Sequence, residues 1–98
     1  MRFLFHPDAE GEFFKAIDYY ETCEQGLGYD FSIEVYTAIQ KIIAYPKIWP
    51  VFKDDIRRYL INRFPYGILY SLEDNKILIL AIMHLHRKPE YWKFRYKG

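Results

Sequence analysis

Side chains able to do chemistry concentrate near the end of the chain, in His84-Leu85-His86-Arg87-Lys88-Pro89-Glu90-Tyr91-Trp92-Lys93-Phe94-Arg95. Guanidinium groups hold phosphate oxygens two at a time. An imidazole with an ordinary pKa near ~6.5 gives or takes a proton at neutral pH. The stretch follows the apolar run Ile77 to Met83, so its polar groups are expected to collect at one end of a sheet. Arg57, Arg58 and Arg63 stand on and just after an earlier strand-like run, and antiparallel pairing brings them toward the same end. A base, an acid and positive charge over a developing phosphorane are what RNA cleavage by 2′-hydroxyl attack requires. The same basic strand end suits an acidic peptide equally well. Arg57 and Arg58 are neighbours on a strand and face opposite ways, so at least one of them is a solvated or ion-paired surface group. Under strict alternation His84 shares a face with Ile82 and Leu80, where a hydrogen-bonded structural histidine is the competing role. Tyr91 and Trp92 compete likewise as packing for the tail.

Other chemistries leave no signature. The chain has no Gly-rich phosphate loop, no His-Glu-x-x-His and no Gly-x-Ser-x-Gly. His84 and His86 alternate onto one strand face without a third ligand nearby, so neither a metal nor a cofactor is expected. Cys23 is the only cysteine, which excludes an internal disulfide; nothing cationic precedes it, and it reads as a packing thiol in a reduced, intracellular protein.

The elements that position the strand-end cluster can be read from periodicity. Arg2-Phe3-Leu4-Phe5, bounded by His6-Pro7, predicts a first strand. Pro7, followed by Asp8, Glu10 and Glu12, predicts a helix start, and Ala9, Phe13, Ile17 and Tyr20 form its apolar stripe. Gly26-Leu27-Gly28 breaks the pattern, with Gly26 expected to cap the first helix. A second stripe, Phe31, Val35, Ile39 and Ile42, stops at Pro46. Lys47 to Asp55 is expected as an irregular connection. Strand-like runs then cover Ile56 to Asn62, Tyr66 to Leu72 and Lys76 to Leu85, with Asp74-Asn75 as a two-residue hairpin turn. The expected fold is α+β in the order β-α-α-β-β-β, with an N-terminal helical hairpin packed on a small, mostly antiparallel sheet.

Size and composition set the frame. A chain of 98 residues with 51% hydrophobic and 28% charged residues is expected to form one soluble domain over 1–98. Its longest apolar run falls far short of the ~20 residues a membrane span needs, and MRFLFHPDAE lacks the apolar core of a secretion signal. No membrane association and no small-molecule ligand are expected. The net charge of +1 conceals an asymmetry: residues 1–50 carry four basic against eight acidic groups, a net of −4, and residues 51–98 carry ten against five, a net of +5. The second half is therefore suited to an acidic or polyanionic partner, the competing reading being two solvated faces of opposite sign.

Three stretches resemble one family. They are Ala9-Glu10…Phe13…Ala16-Ile17-Asp18-Tyr19-Tyr20-Glu21 with Gly26-Leu27-Gly28; Pro46-x-x-Trp49-Pro50 with Ile56-Arg57-Arg58-Tyr59-Leu60 and Arg63-Phe64-Pro65-Tyr66-Gly67-Ile68-Leu69-Tyr70; and Ile79-Leu80-Ala81-Ile82-Met83-His84-Leu85-His86-Arg87-x-Pro89-x-Tyr91-Trp92. In this order they resemble the RelE/ParE superfamily of bacterial type II toxins, often labelled plasmid stabilisation proteins. The resemblance implies a cytoplasmic toxin that inhibits growth until a cognate antitoxin binds it. Two kinds of target follow from it. RelE-like members cleave messenger RNA on the ribosome, and there Arg63 and Arg87 would hold phosphate while His84 or Tyr91 moved a proton. ParE-like members poison DNA gyrase and need no cleavage chemistry. In those the last strand commonly ends His-x-Arg-x-Asp; this chain has Arg three after His84 and no Asp. Arg57, Arg58, Lys88, Trp92, Lys93 and Arg95 are the expected binding residues. A pI near 7.8 fits poorly with a nuclease that must grip ribosomal RNA through many phosphates. A non-toxic interaction domain of the same fold is the remaining alternative.

Overall fold

Pro7 opens the first helix at a position whose N–H would have no partner in any case. In the computed structural model, which describes residues 1–88 and 90–96, that helix is α1, Pro7–Cys23. Pro89, Lys97 and Gly98 lie outside the described residues, and with them the proline of the strand-end motif. His6 caps α1, its Nδ1 accepting the Asp8 N–H at 3.1 Å, while Asp8 and Glu10 supply negative charge in the first turn. Ala9, Phe13 and Ala16 face the core. α1 ends at Cys23, capped by Glu24 rather than by a glycine. Gly26, at φ 87°, instead begins the second helix, α2, Leu27–Ala44. The Glu21 carboxylate bridges the break, accepting the N–H groups of Gly26 and Gly28 at 3.0–3.1 Å. Gly28 is where the helices touch: a Cβ there would stand 2.6 Å from the Ile17 carbonyl oxygen.

Five strands form one sheet: β1 Arg2–Phe5, β2 Val51–Lys53, β3 Ile56–Leu60, β4 Tyr66–Glu73 and β5 Lys76–His84, in the order β1-β5-β4-β3-β2. β1 runs parallel to β5, and the other pairs are antiparallel. The β4–β5 hairpin turns on Asp74 and Asn75, both at positive φ, as that dipeptide predicts. β2 is additional to the expected order; it lies within the stretch read as irregular, too short at three residues to show an alternation.

β5 also breaks strict alternation. Leu69 pairs with Ala81 but Tyr70 with Ile79, so Leu80 is an extra residue, a β-bulge. The bulge puts Ile77, Ile79 and Ile82 on the face covered by the helical hairpin, and Leu80, Ala81 and Met83 on the other. His84 thus shares its face with Ile82 but not with Leu80.

The helix-covered core is built on Phe13, Phe31, Ile39, Ile68, Tyr70 and Ile79. The opposite face is covered by the end of the chain. Trp92, 1% exposed, packs with Ile56, Leu69, Leu80 and Met83 ahead of a 3₁₀ turn, Lys93–Arg95. Among the described residues, no helix is long and apolar enough to cross a membrane.

Candidate functional site

The bulge in β5 frees backbone groups just where β1 has ended. β1 pairs with β5 only as far as Ile79, and the chain then turns into α1. Two side chains from distant elements take over. Glu12 of α1 accepts the Ile82 N–H at 3.1 Å, and Arg95 of the tail donates to the Leu80 carbonyl at 3.0 Å. The two also bind each other through paired contacts of 2.9 and 3.2 Å. The Arg95 side chain is 7% exposed and that of Glu12 16%. Burial alone disfavours the guanidinium charge, but the Glu12 carboxylate outweighs it and raises the Arg95 pKa further.

Tyr91 lies between two guanidinium groups, with Arg87 4.0 Å and Arg95 5.1 Å from its ring centre. Its hydroxyl is buried beside Glu12 without a well-formed hydrogen bond. Burial, reinforced by the Glu12 carboxylate, pushes the phenol well above its ordinary value of 10. Arg87 is exposed and, with Lys15, Asp8, Glu12 and Arg95, lines a shallow cleft of about 330 Å³ between α1 and the tail.

His84 ends β5 on the helix-covered face, its ring 5.1 Å from those of Tyr66 and His86. Its Nδ1 accepts the His86 N–H at 3.1 Å, which leaves the proton of the neutral ring on Nε2. Burial, with His86 and Arg87 adding, holds its pKa below 6.5. Arg63, in the β3–β4 connection at this end of the sheet, is 53% exposed and pairs with Asp30 of α2 at 3.2 Å. The four residues expected to share chemistry thus fall in three separate places. Arg87 and Tyr91 belong with Arg95 and Glu12, whereas His84 belongs with Tyr66 and His86, and Arg63 engages Asp30.

The expected binding residues are spread more widely. Arg57, paired with Tyr70, lies about 13 Å along the sheet from the level of His84. Its guanidinium donates to the Trp49 carbonyl at 2.7 Å. Arg58 is on the opposite face, its stem across Gly67 and its guanidinium 4.6 Å from the Phe52 ring centre. Lys88 is exposed, Lys93 lies 3.8 Å from Glu90, and Lys53 of β2 also binds Glu90. Trp92 lies in the core beneath the tail, and Arg95 in the pair with Glu12. No group of His, Cys, Asp or Glu among the described residues is arranged to hold a metal; Cys23 is exposed.

Glu12 is the residue that periodicity passes over. The visible signal is that it sits beside Phe13, at the border of an apolar stripe, where a carboxylate needs a cation to be half-buried.

Against known proteins, residues 3–89 match the profile described as the ParE toxin of the type II toxin–antitoxin system parDE. Among solved structures, a chain of "Chromosomal ParDE TA system from P. aeruginosa" superimposes with a TM-score of 0.65 at 14% identity, covering 88% of this chain and 97% of that one. At that identity the likeness concerns the fold. A search of curated proteins finds no significant match.

Proposed function

The chain belongs to the ParE toxin family of type II toxin–antitoxin systems, and on that premise we propose that it inhibits bacterial growth by binding and poisoning DNA gyrase in the cytoplasm, until a cognate antitoxin neutralises it. The observation that favours gyrase over messenger RNA is the state of the proton-transfer groups. Tyr91, with its hydroxyl buried beside a carboxylate and its pKa raised, does not give up a proton readily. His84 has its Nδ1 lone pair engaged by the His86 N–H and offers only an N–H donor. A gyrase poison needs neither group to react; it needs a rigid, basic strand end held in one shape, and the Glu12–Arg95 pair holds it. The chain's modest net charge of +1 agrees with a protein target better than with bulk RNA.

Labelled amino-acid and thymidine incorporation, followed in the minutes after induction in bacteria, tests the reading. DNA synthesis is expected to fall first while translation continues and the cells filament. An immediate collapse of translation, with cleaved messenger RNA, contradicts it.

A further inference from the structure

The lane beside β3 is filled up to its last residue but one. Arg58 donates its N–H to the Pro50 carbonyl at 3.0 Å, and the Trp49 ring packs on that of Tyr59 with their centres 4.5 Å apart. Leu60 comes next. Its N–H and C=O point to the β2 side, because Tyr59 and Ile61 are the residues that pair toward β4. No residue of β2 stands opposite it. Among the described residues, this one donor and one acceptor therefore have no backbone partner.

The opening at Leu60 belongs to a cleft of about 420 Å³. Trp49 and Tyr59 wall it on the helix-covered side, Phe52, Arg58 and Leu60 on the other, and the exposed Asn62 lines it as well. The Arg58 guanidinium lies 4.6 Å from the Phe52 ring centre and has no carboxylate partner among the described residues. A slot one residue long does not admit an added strand, whose ladder needs successive open positions. A flat ring fits it if the ring's edge sets an acceptor beside a donor, and nucleobases present such edges. Aromatic walls favour the faces of the same ring, and an uncommitted guanidinium favours phosphate.

We propose that this cleft binds a single nucleotide. The edge of the base pairs with the N–H and C=O of Leu60, the ring lies between the Trp49–Tyr59 wall and the Leu60 side chain, and the phosphate meets Arg58. The Asn62 amide, which both donates and accepts, extends the polar edge offered to the base. A free mononucleotide and a base turned out of a single strand present the same ring and the same phosphate to these groups. The site involves no cleavage chemistry and is independent of the gyrase reading above.

The test is a set of amide NMR titrations of the full-length chain with each 5′-deoxymononucleotide, with deoxyadenosine, with inorganic phosphate and with a mixed-sequence single-stranded DNA pentamer. Saturable shifts of the Leu60 and Asn62 amides are expected with at least one mononucleotide. Saturation by the pentamer alone supports the same site with the base supplied by a strand. Arg58→Gln is expected to weaken nucleotide binding about tenfold while leaving the nucleoside unchanged. Asn62→Ala, at an exposed position that does not burden the fold, is expected to weaken both. A Leu60 amide that stays unmoved by every mononucleotide and by the pentamer overturns the site. Shifts reproduced by inorganic phosphate alone, or variants that bind nucleotide as tightly as the wild type, overturn it equally.

Discussion

Glu12 and Arg95, 83 residues apart, form a two-pronged ion pair that also caps both sides of the bulge in β5. α1 and the tail are thereby fastened to the central part of the sheet at the point where β1 gives out. Each partner satisfies the other's buried charge and a backbone group that would otherwise be unpaired.

Breaking the pair from one side leaves a charge in a site that is no longer compensated. Arg95→Met is expected to cost about 3 kcal/mol or more, which in a domain of this size lowers Tm by more than about 10 °C. Glu12→Gln should cost comparably, and the double variant less than the sum. Thermal unfolding followed by circular dichroism decides this; a shift of only a degree or two in either single variant would show that the pair is not needed.

The helical hairpin depends on Gly28. A methyl group there would press on the Ile17 carbonyl oxygen, a backbone atom with no room to retreat. Gly28→Ala is therefore expected to destabilise by about 1–3 kcal/mol, although alanine is the better helix former. A neutral or stabilising effect in denaturant unfolding would contradict the close contact.

His84 gives the fold a pH dependence of definite sign. Its folded pKa is below the unfolded value of about 6.5, so the unfolded chain takes up its proton first as pH falls. The stability it supports is complete above that value and is lost as pH falls below it. Wild-type Tm should drop more between pH 7.5 and 5.5 than that of His84→Gln. Parallel curves for the two proteins would refute the assignment.

The same residue and Tyr91 separate the two toxin mechanisms. Tyr91→Phe removes only a buried hydroxyl without a well-formed hydrogen bond and keeps the ring between Arg87 and Arg95. Growth inhibition on induction is expected to survive in Tyr91→Phe and in His84→Gln alike. Loss of inhibition in either variant, with Tm preserved, would identify a proton-transfer residue.

Much of the scaffold is legible in the sequence because it is local. The stripes through Phe13 and Phe31, the proline at the head of α1 and the Asp74-Asn75 turn each act within a few residues. The parts that are not legible depend on distant partners. Periodicity assumes an unbroken strand, so the extra Leu80 reverses the face of what precedes it relative to His84. Trp92 reads as a tail residue, yet it closes the second core because Leu69, Leu80 and Met83 leave an apolar face uncovered. Arg95 reads as one more cation in a basic run, whereas its partner Glu12 belongs to the first turns of the first helix. The cluster is visible as a run of residue types; its division into a Glu12–Arg95–Tyr91–Arg87 group and a His84–His86–Tyr66 group is a property of the tertiary structure.

Whether this ParE-family chain acts on gyrase without cleavage chemistry is decided by purified, antitoxin-free protein added to purified DNA gyrase and relaxed plasmid. A dose-dependent loss of supercoiling, accumulation of gyrase-cleaved plasmid, and equal potency for Tyr91→Phe are expected. Supercoiling that proceeds unchanged, while the same preparation cuts messenger RNA on translating ribosomes, would contradict it.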